Sequence, residues 1–209
     1  MAVRPLQGAL SEDVMQLTID ADGVCQGARQ VPSPNHDARP AGEAVSLVVI
    51  HNISLPPGQF GGDDIERLFT NRIDPQAHPG YDELARLRVS AHFVIRRDGA
   101  LVQFVPAGAR AWHAGVSNWC GRERCNDFSV GIELEGSDHV PFAGPQYATL
   151  LPLLAALAAR YPLQAIAGHS EIAPGRKTDP GPWFDWARVH AALPQLRTTF
   201  SALPGTPTL

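Results

Sequence analysis

Residues 128–135, Phe-Ser-Val-Gly-Ile-Glu-Leu-Glu, alternate in polarity from one position to the next. On an extended chain Val130, Ile132 and Leu134 share one face, while Gly131, Glu133 and Glu135 share the other. The reading is a strand with one apolar face turned to a core and one carboxylate-bearing face. Upstream, Ser46–His51 (SLVVIH) is a β-branched run suited to a buried strand, and its last residue is a histidine. Ala165–His169 is a further short strand, again ending on a histidine. Ala91–Arg97 and Ala100–Val105 flank Asp98-Gly99, a two-residue hairpin signal. Asp63 or Asp64 is placed to cap a short helix ending at Phe69. Across Tyr147–Tyr161, Leu150, Leu151, Leu154, Leu157 and Tyr161 recur with the helical period, and Pro152 is expected to kink that helix or delay its start. Phe184–Leu193 is the last predicted helix. Strands and helices interleave, which implies an α/β sheet covered by helices.

The rest of the composition agrees with one folded unit. The chain has 209 residues, of which 44% are hydrophobic and 18% charged, a balance that supports a core and excludes a chain disordered throughout. With 19 glycines and 19 prolines, many shaped loops are expected around that core. A formal charge of -4 offers no basic footprint for nucleic acid. No apolar run reaches the roughly 18 residues of a membrane span. The first thirty residues carry Glu12, Asp13, Asp20 and Asp22 and lack the apolar stretch of a secretory signal, so a cytoplasmic protein is expected. Cys25, Cys120 and Cys125 are an odd set, read as reduced thiols. Residues 1–30 are read as an N-terminal extension, 31–196 as the domain, and 197–209 as a loose tail.

Chemistry is concentrated at strand ends. Of eight histidines, His51 and His169 run from predicted strands straight into loops, where a rigid backbone delivers a side chain to a cleft. Asp179 follows ten residues after His169 in the glycine- and proline-rich stretch 168–181 (GHSEIAPGRKTDPG), with Lys177 two residues before it. Two imidazoles and one carboxylate form a known catalytic zinc set that leaves a fourth position for water. Spacing alone equally allows hydrogen-bonded histidines, because no HExxH-type cluster ties the ligands together. Glu133 and Glu135 both lie on the face eligible for a general base, and spacing does not choose between them.

Successive blocks of the chain resemble one family. They are 49–58 (VIHNISLPPG), 88–92 (RVSAH), 111–116 (AWHAGV), 121–136 (GRERCNDFSVGIELEG) and 168–182. In this order they are similar to the cytoplasmic 1,6-anhydro-N-acetylmuramoyl-L-alanine amidases of the AmpD type. That group belongs to the type 2 amidase superfamily, which includes the peptidoglycan recognition proteins. The resemblance covers roughly residues 31–190. It implies a single amidase domain with a central mixed β-sheet flanked by helices, and Zn²⁺ held by His51, His169 and Asp179. It selects Glu133 as the base and Lys177 as the oxyanion partner. The implied substrate is a small muropeptide cut between the lactyl group of N-acetylmuramic acid and L-alanine, with no membrane or protein partner.

The same resemblance points to Arg88 and Arg124 for the peptide carboxylates, with Arg176 as a further candidate. Trp112 is read either as a platform for sugar or peptide or as a core tryptophan. Asn52 either bonds a substrate carbonyl or shapes its own turn. His92 and His113 stand in matching blocks as structural or supporting residues rather than ligands. The rival of another class is a non-catalytic peptidoglycan-binding module of the same fold, which lacks part of the zinc set; here the two His, the Asp, the Glu and the Lys are all present. A cysteine hydrolase would use Cys120 or Cys125, neither of which lies in a recognisable nucleophile block.

Overall fold

The alternating segment is the middle strand of a seven-stranded sheet in a computed structural model that describes residues 17–198. Four short strands come first: β1 (Thr18–Ile19), β2 (Cys25–Gln26), β3 (Arg29–Gln30) and β4 (His36–Asp37). The long β5 (Leu47–Ile53) follows, then helices α1 (Asp64–Phe69) and α2 (Tyr81–Leu84). The hairpin of β6 (Phe93–Ile95) and β7 (Leu101–Gln103) leads through β8 (Arg110–Ala111), β9 (Asn118–Trp119) and β10 (Arg122–Glu123) to β11 (Ser129–Glu135). After these come α3 (Gly144–Arg160), β12 (Ala165–Gly168), α4 (His169–Ile172), α5 (Trp186–Ala192) and β13 (Arg197–Thr198). In the main sheet the order is β13-β12-β5-β11-β6-β7-β3. Only β6 and β7 pair antiparallel, so the sheet is mixed, as the resemblance implies.

One face of β11 does what the alternation requires. Val130, Ile132 and Leu134 are fully buried in a cluster with Leu150, Leu153, Leu154 and Leu157 of α3, and each such leucine contributes about 1.5–3 kcal/mol by leaving water. The helix does not wait for Pro152: it starts at Gly144 and continues through that proline. Burial of the leucines on both sides offsets the hydrogen bond that proline cannot donate. Its first turn is pinned to the sheet by Gln146, whose amide donates to the carbonyls of Ile95 and Glu135 at 3.2 and 3.0 Å.

Two boundaries differ from the sequence reading. Residues 1–16 and 199–209 lie outside the described residues, but the remainder of the expected extension is part of the fold. Leu17, Ile19 and Cys25 sit in the main core and β3 pairs with β7 at the sheet edge. At the other end, β13 pairs with β12, so residues 197–198 belong to the sheet rather than to a tail. Strands of two residues are too short to show periodicity, and their burial comes from tertiary contacts alone. No helix among the described residues is long and apolar enough to cross a membrane.

Candidate metal and catalytic site

On the face of the sheet away from α3, β5 and β11 lie parallel with Glu133 opposite His51. Directly paired residues project to the same side, so a carboxylate and an imidazole stand next to each other there. His51 does not end its strand as expected; β5 runs on to Ile53 because β11 continues alongside it to Glu135. His169 is the first residue of α4, just beyond β12. Its position is set locally by the Glu171 carboxylate, which accepts the Gly168 N–H at 2.7 Å and caps the helix. A Cβ on Gly168 would lie 2.8 Å from Pro180 Cδ, so only glycine lets the 178–181 turn approach this strand end. Ser170 N–H then donates to the Asp179 carbonyl at 2.9 Å.

The three candidate ligands therefore meet. His51 Nδ1 lies 2.9 Å from His169 Nδ1 and 3.1 Å from Asp179 Oδ2, and His169 Nδ1 lies 3.0 Å from the same oxygen. Among the described residues this is the group of His, Cys, Asp and Glu side chains able to hold a metal ion. Burial pushes the His51 imidazole down to about 4, so it is neutral at pH 7 and is no salt-bridge partner for Asp179. His169 Nε2 faces the Ala114 carbonyl at 3.1 Å; a carbonyl cannot donate, so Nε2 carries the proton and Nδ1 offers a lone pair. A carboxylate and an imidazole lone pair aimed at one point, with a second imidazole beside them, form a donor set that fits a divalent cation such as zinc.

Glu133 stands beside this cluster and is 9% exposed. Its Oε2 is the buried side-chain polar atom without a hydrogen-bond partner among the described residues. Burial and the Asp179 charge hold its carboxyl well above the usual range, with Lys177 pulling the other way. Glu135, equally eligible from the alternation, is occupied: it accepts from Gly61 N–H at 2.6 Å, Arg97 N–H at 3.1 Å and Arg96 at 3.3 Å. It anchors the loop after β5.

His51, His169, Asp179, Glu133, Lys177, Asn52 and Trp112 line one cavity of about 240 Å³, walled also by Leu68, Phe69, Leu87 and Val89. Asn52 Nδ2 donates to Asp138 Oδ1 at 2.7 Å and to the Pro180 carbonyl at 3.1 Å, so it holds the turn that carries Asp179. Trp112 is not a core tryptophan; it is half-buried, with its indole N–H on Asp37 at 3.3 Å. Arg124 and Arg176 line a second, larger cavity of about 520 Å³ together with Val116 and Pro174. Ala114, in sequence between His113 of the first cavity and Gly115 of the second, accepts on its carbonyl from both His169 and Arg176. Arg88 lines neither; its guanidinium closes the turn after α2 by donating to the carbonyls of Ala85 and Leu87. The thiols are uninvolved: Cys25 and Cys125 are buried with raised pKa values, and Cys120 is exposed and free. Sequence reasoning did not single out Asp138, whose link to Asn52 joins residues 86 positions apart.

Residues 41–182 match the family model described as N-acetylmuramoyl-L-alanine amidase. The 1,6-anhydro-N-acetylmuramyl-L-alanine amidase AmpD of Escherichia coli (strain K12) is 61% identical over 169 residues, spanning 80% of this chain and 92% of that protein. A crystal structure of a selenomethionine AmpD derivative superposes with a TM-score of 0.79 at 58% identity, covering 82% of this chain and 97% of that one. The E. coli amidase AmiD, solved with the substrate anhydro-N-acetylmuramic acid-L-Ala-D-gamma-Glu-L-Lys, gives a TM-score of 0.52 at 26% identity over 85% of this chain and 65% of that one. The match runs from before β5 to beyond the turn bearing Asp179, so it encloses every residue of the smaller cavity, and the chain belongs to the N-acetylmuramoyl-L-alanine amidase family.

Proposed function

We propose that this protein is a zinc amidase that hydrolyses the bond between the lactyl group of (1,6-anhydro-)N-acetylmuramic acid and the L-alanine of a stem peptide. The observation that carries the reading is the meeting of His51, His169 and Asp179 beside a buried carboxylate with an unpartnered oxygen. The relatives named above, with AmpD enzymes named for this bond, supply the substrate class. His51, His169 and Asp179 would hold the ion, which when bound polarises the carbonyl and lowers the pKa of a water to about 7.

The chain's own residues do the rest. Glu133, with one oxygen unengaged and a high proton affinity, accepts the proton of the attacking water as its oxygen adds to the lactyl carbonyl. As the carbon–nitrogen bond breaks, Glu133 returns that proton to the departing alanine nitrogen. Lys177 lines the same cavity and places an ammonium near the charge that develops on the carbonyl oxygen. Asn52 and Asp138 keep the Asp179 turn in place. Arg124 and Arg176, which line the larger cavity, and the exposed Arg88 are the guanidinium groups offered to the carboxylates of the stem peptide.

Mass spectrometry tests this. Zinc-loaded protein incubated with an anhydro-N-acetylmuramyl tripeptide is expected to release the intact sugar acid and a tripeptide with a free alanine amine. Cleavage of any other bond, or none, contradicts the proposal; the reducing sugar substrate run in parallel reports which sugar is preferred.

A further inference from the structure

We propose that His113 is a positioning residue for the metal site: with Ser129 behind it, His113 fixes the proton of His51 on Nε2, leaving Nδ1 as a bare lone pair towards His169 and Asp179. The proton relay starts at a backbone carbonyl. Ser129 Oγ lies 2.6 Å from the Cys125 carbonyl, which can only accept, so the one hydroxyl proton of Ser129 points there. The same Oγ lies 3.3 Å from His113 Nε2 and has nothing left to donate; His113 Nε2–H must donate to it. His113 then presents Nδ1 as an acceptor, 3.0 Å from His51 Nε2, and the proton between them belongs to His51. The directions are forced one after another from Cys125 to the cluster.

The two histidines of the cluster thus reach one state by different routes. His169 is set in one step by the Ala114 carbonyl. His51 stands in mid-strand and needs two steps. The outer face of β11 provides for this at alternate positions: Ser129 ends the relay, Gly131 leaves the space, and Glu133 faces the cavity. A Cβ on Gly131 would lie 2.5 Å from His113 Cγ, so the ring occupies the place of a side chain. His92 holds that glycine from the other side, accepting its N–H on Nδ1 at 3.0 Å and donating from Nε2 to the Ala109 carbonyl at 3.1 Å.

The positioning role rests on the reading of the cluster as a metal site, whereas the placement of the protons does not. Long-range ¹H–¹⁵N NMR of the wild-type protein is expected to show His51 and His113 both protonated on Nε2 and not on Nδ1. Competition against a chromophoric chelator, with a thermal melt to confirm folding, is expected to show zinc binding weakened by about 10–100-fold in His113→Leu, which keeps bulk but removes the acceptor. His113→Asn, whose amide oxygen falls near the position of Nδ1, is expected to recover most of that loss. An Nδ1 proton on either ring of the wild-type protein overturns the proposal, as does zinc binding by His113→Leu within twofold of wild type. Neither readout uses turnover, so failure of the amidase assay alone leaves this result standing.

Discussion

Replacing Glu133 with glutamine is expected to make the protein more stable and nearly inactive. The wild-type carboxyl is buried against the metal cluster with Oε2 unpartnered, and burial and Asp179 raise its pKa above that of the unfolded chain. The folded state therefore binds this proton more tightly than the unfolded state does. Its favourable contribution is complete below the unfolded value of about 4.3 and is lost as pH rises through the higher folded value. At neutral pH the wild-type chain bears the cost of keeping a buried carboxyl against its ionisation in the unfolded state, about 1–3 kcal/mol, which an amide of the same shape lacks because it does not ionise. At about 2–4 °C per kcal/mol for a domain of this size, Glu133→Gln should melt a few degrees higher than wild type in chelator-treated samples at pH 7. The gap should close towards pH 4. Glutamine cannot take a proton from water, so kcat should fall by about 10²–10⁴-fold with zinc content unchanged. A lower melting temperature at pH 7, or kcat within tenfold of wild type, would refute the reasoning.

The neighbouring groups give contrasting outcomes. Glu135→Ala strips the acceptor from two backbone N–H groups and from Arg96 at a site 1% exposed, and should cost about 3–5 kcal/mol of stability in urea unfolding. An unchanged midpoint would mean that the loop after β5 is held by other contacts. Lys177→Met should lower kcat by about 10²-fold while metal content stays the same, since it removes one stabilising charge from the transition state; loss of zinc instead would place Lys177 in support of the metal. Gly131→Ala must displace the His113 ring and should cost about 1–3 kcal/mol, measured by the same unfolding assay.

Legibility in the sequence followed the range of the interactions. The alternation of 128–135 was readable because it is local, and the structure keeps its apolar face against α3. Whether its polar face meets water or a closed cavity was not readable. That depends on the loop after β5, folded back onto Glu135, and on His113 filling the place above Gly131. Local rules penalise Pro152 as a helix breaker, yet Leu150, Leu153, Leu154 and Leu157 hold the helix through it. Leu17, Ile19 and Cys25 carry no periodic signal, and only tertiary packing reveals them as core. His51, His169 and Asp179 are separated by up to 128 residues, so spacing could only nominate them. The family resemblance supplied the grouping, and the parallel register of β5 with β11 and β12 supplies its physical cause. Arg88 was nominated by the resemblance alone, and here its side chain is exposed, with one guanidinium nitrogen donating to the carbonyls of Ala85 and Leu87.

Anomalous diffraction at the zinc edge from zinc-soaked crystals tests the central claim most directly. One strong peak is expected, bonded to His51 Nδ1, His169 Nδ1 and Asp179 Oδ2, with Glu133 alongside and not bonded to the ion. A peak held by other residues, or by the Nε2 atoms of these histidines, would contradict it.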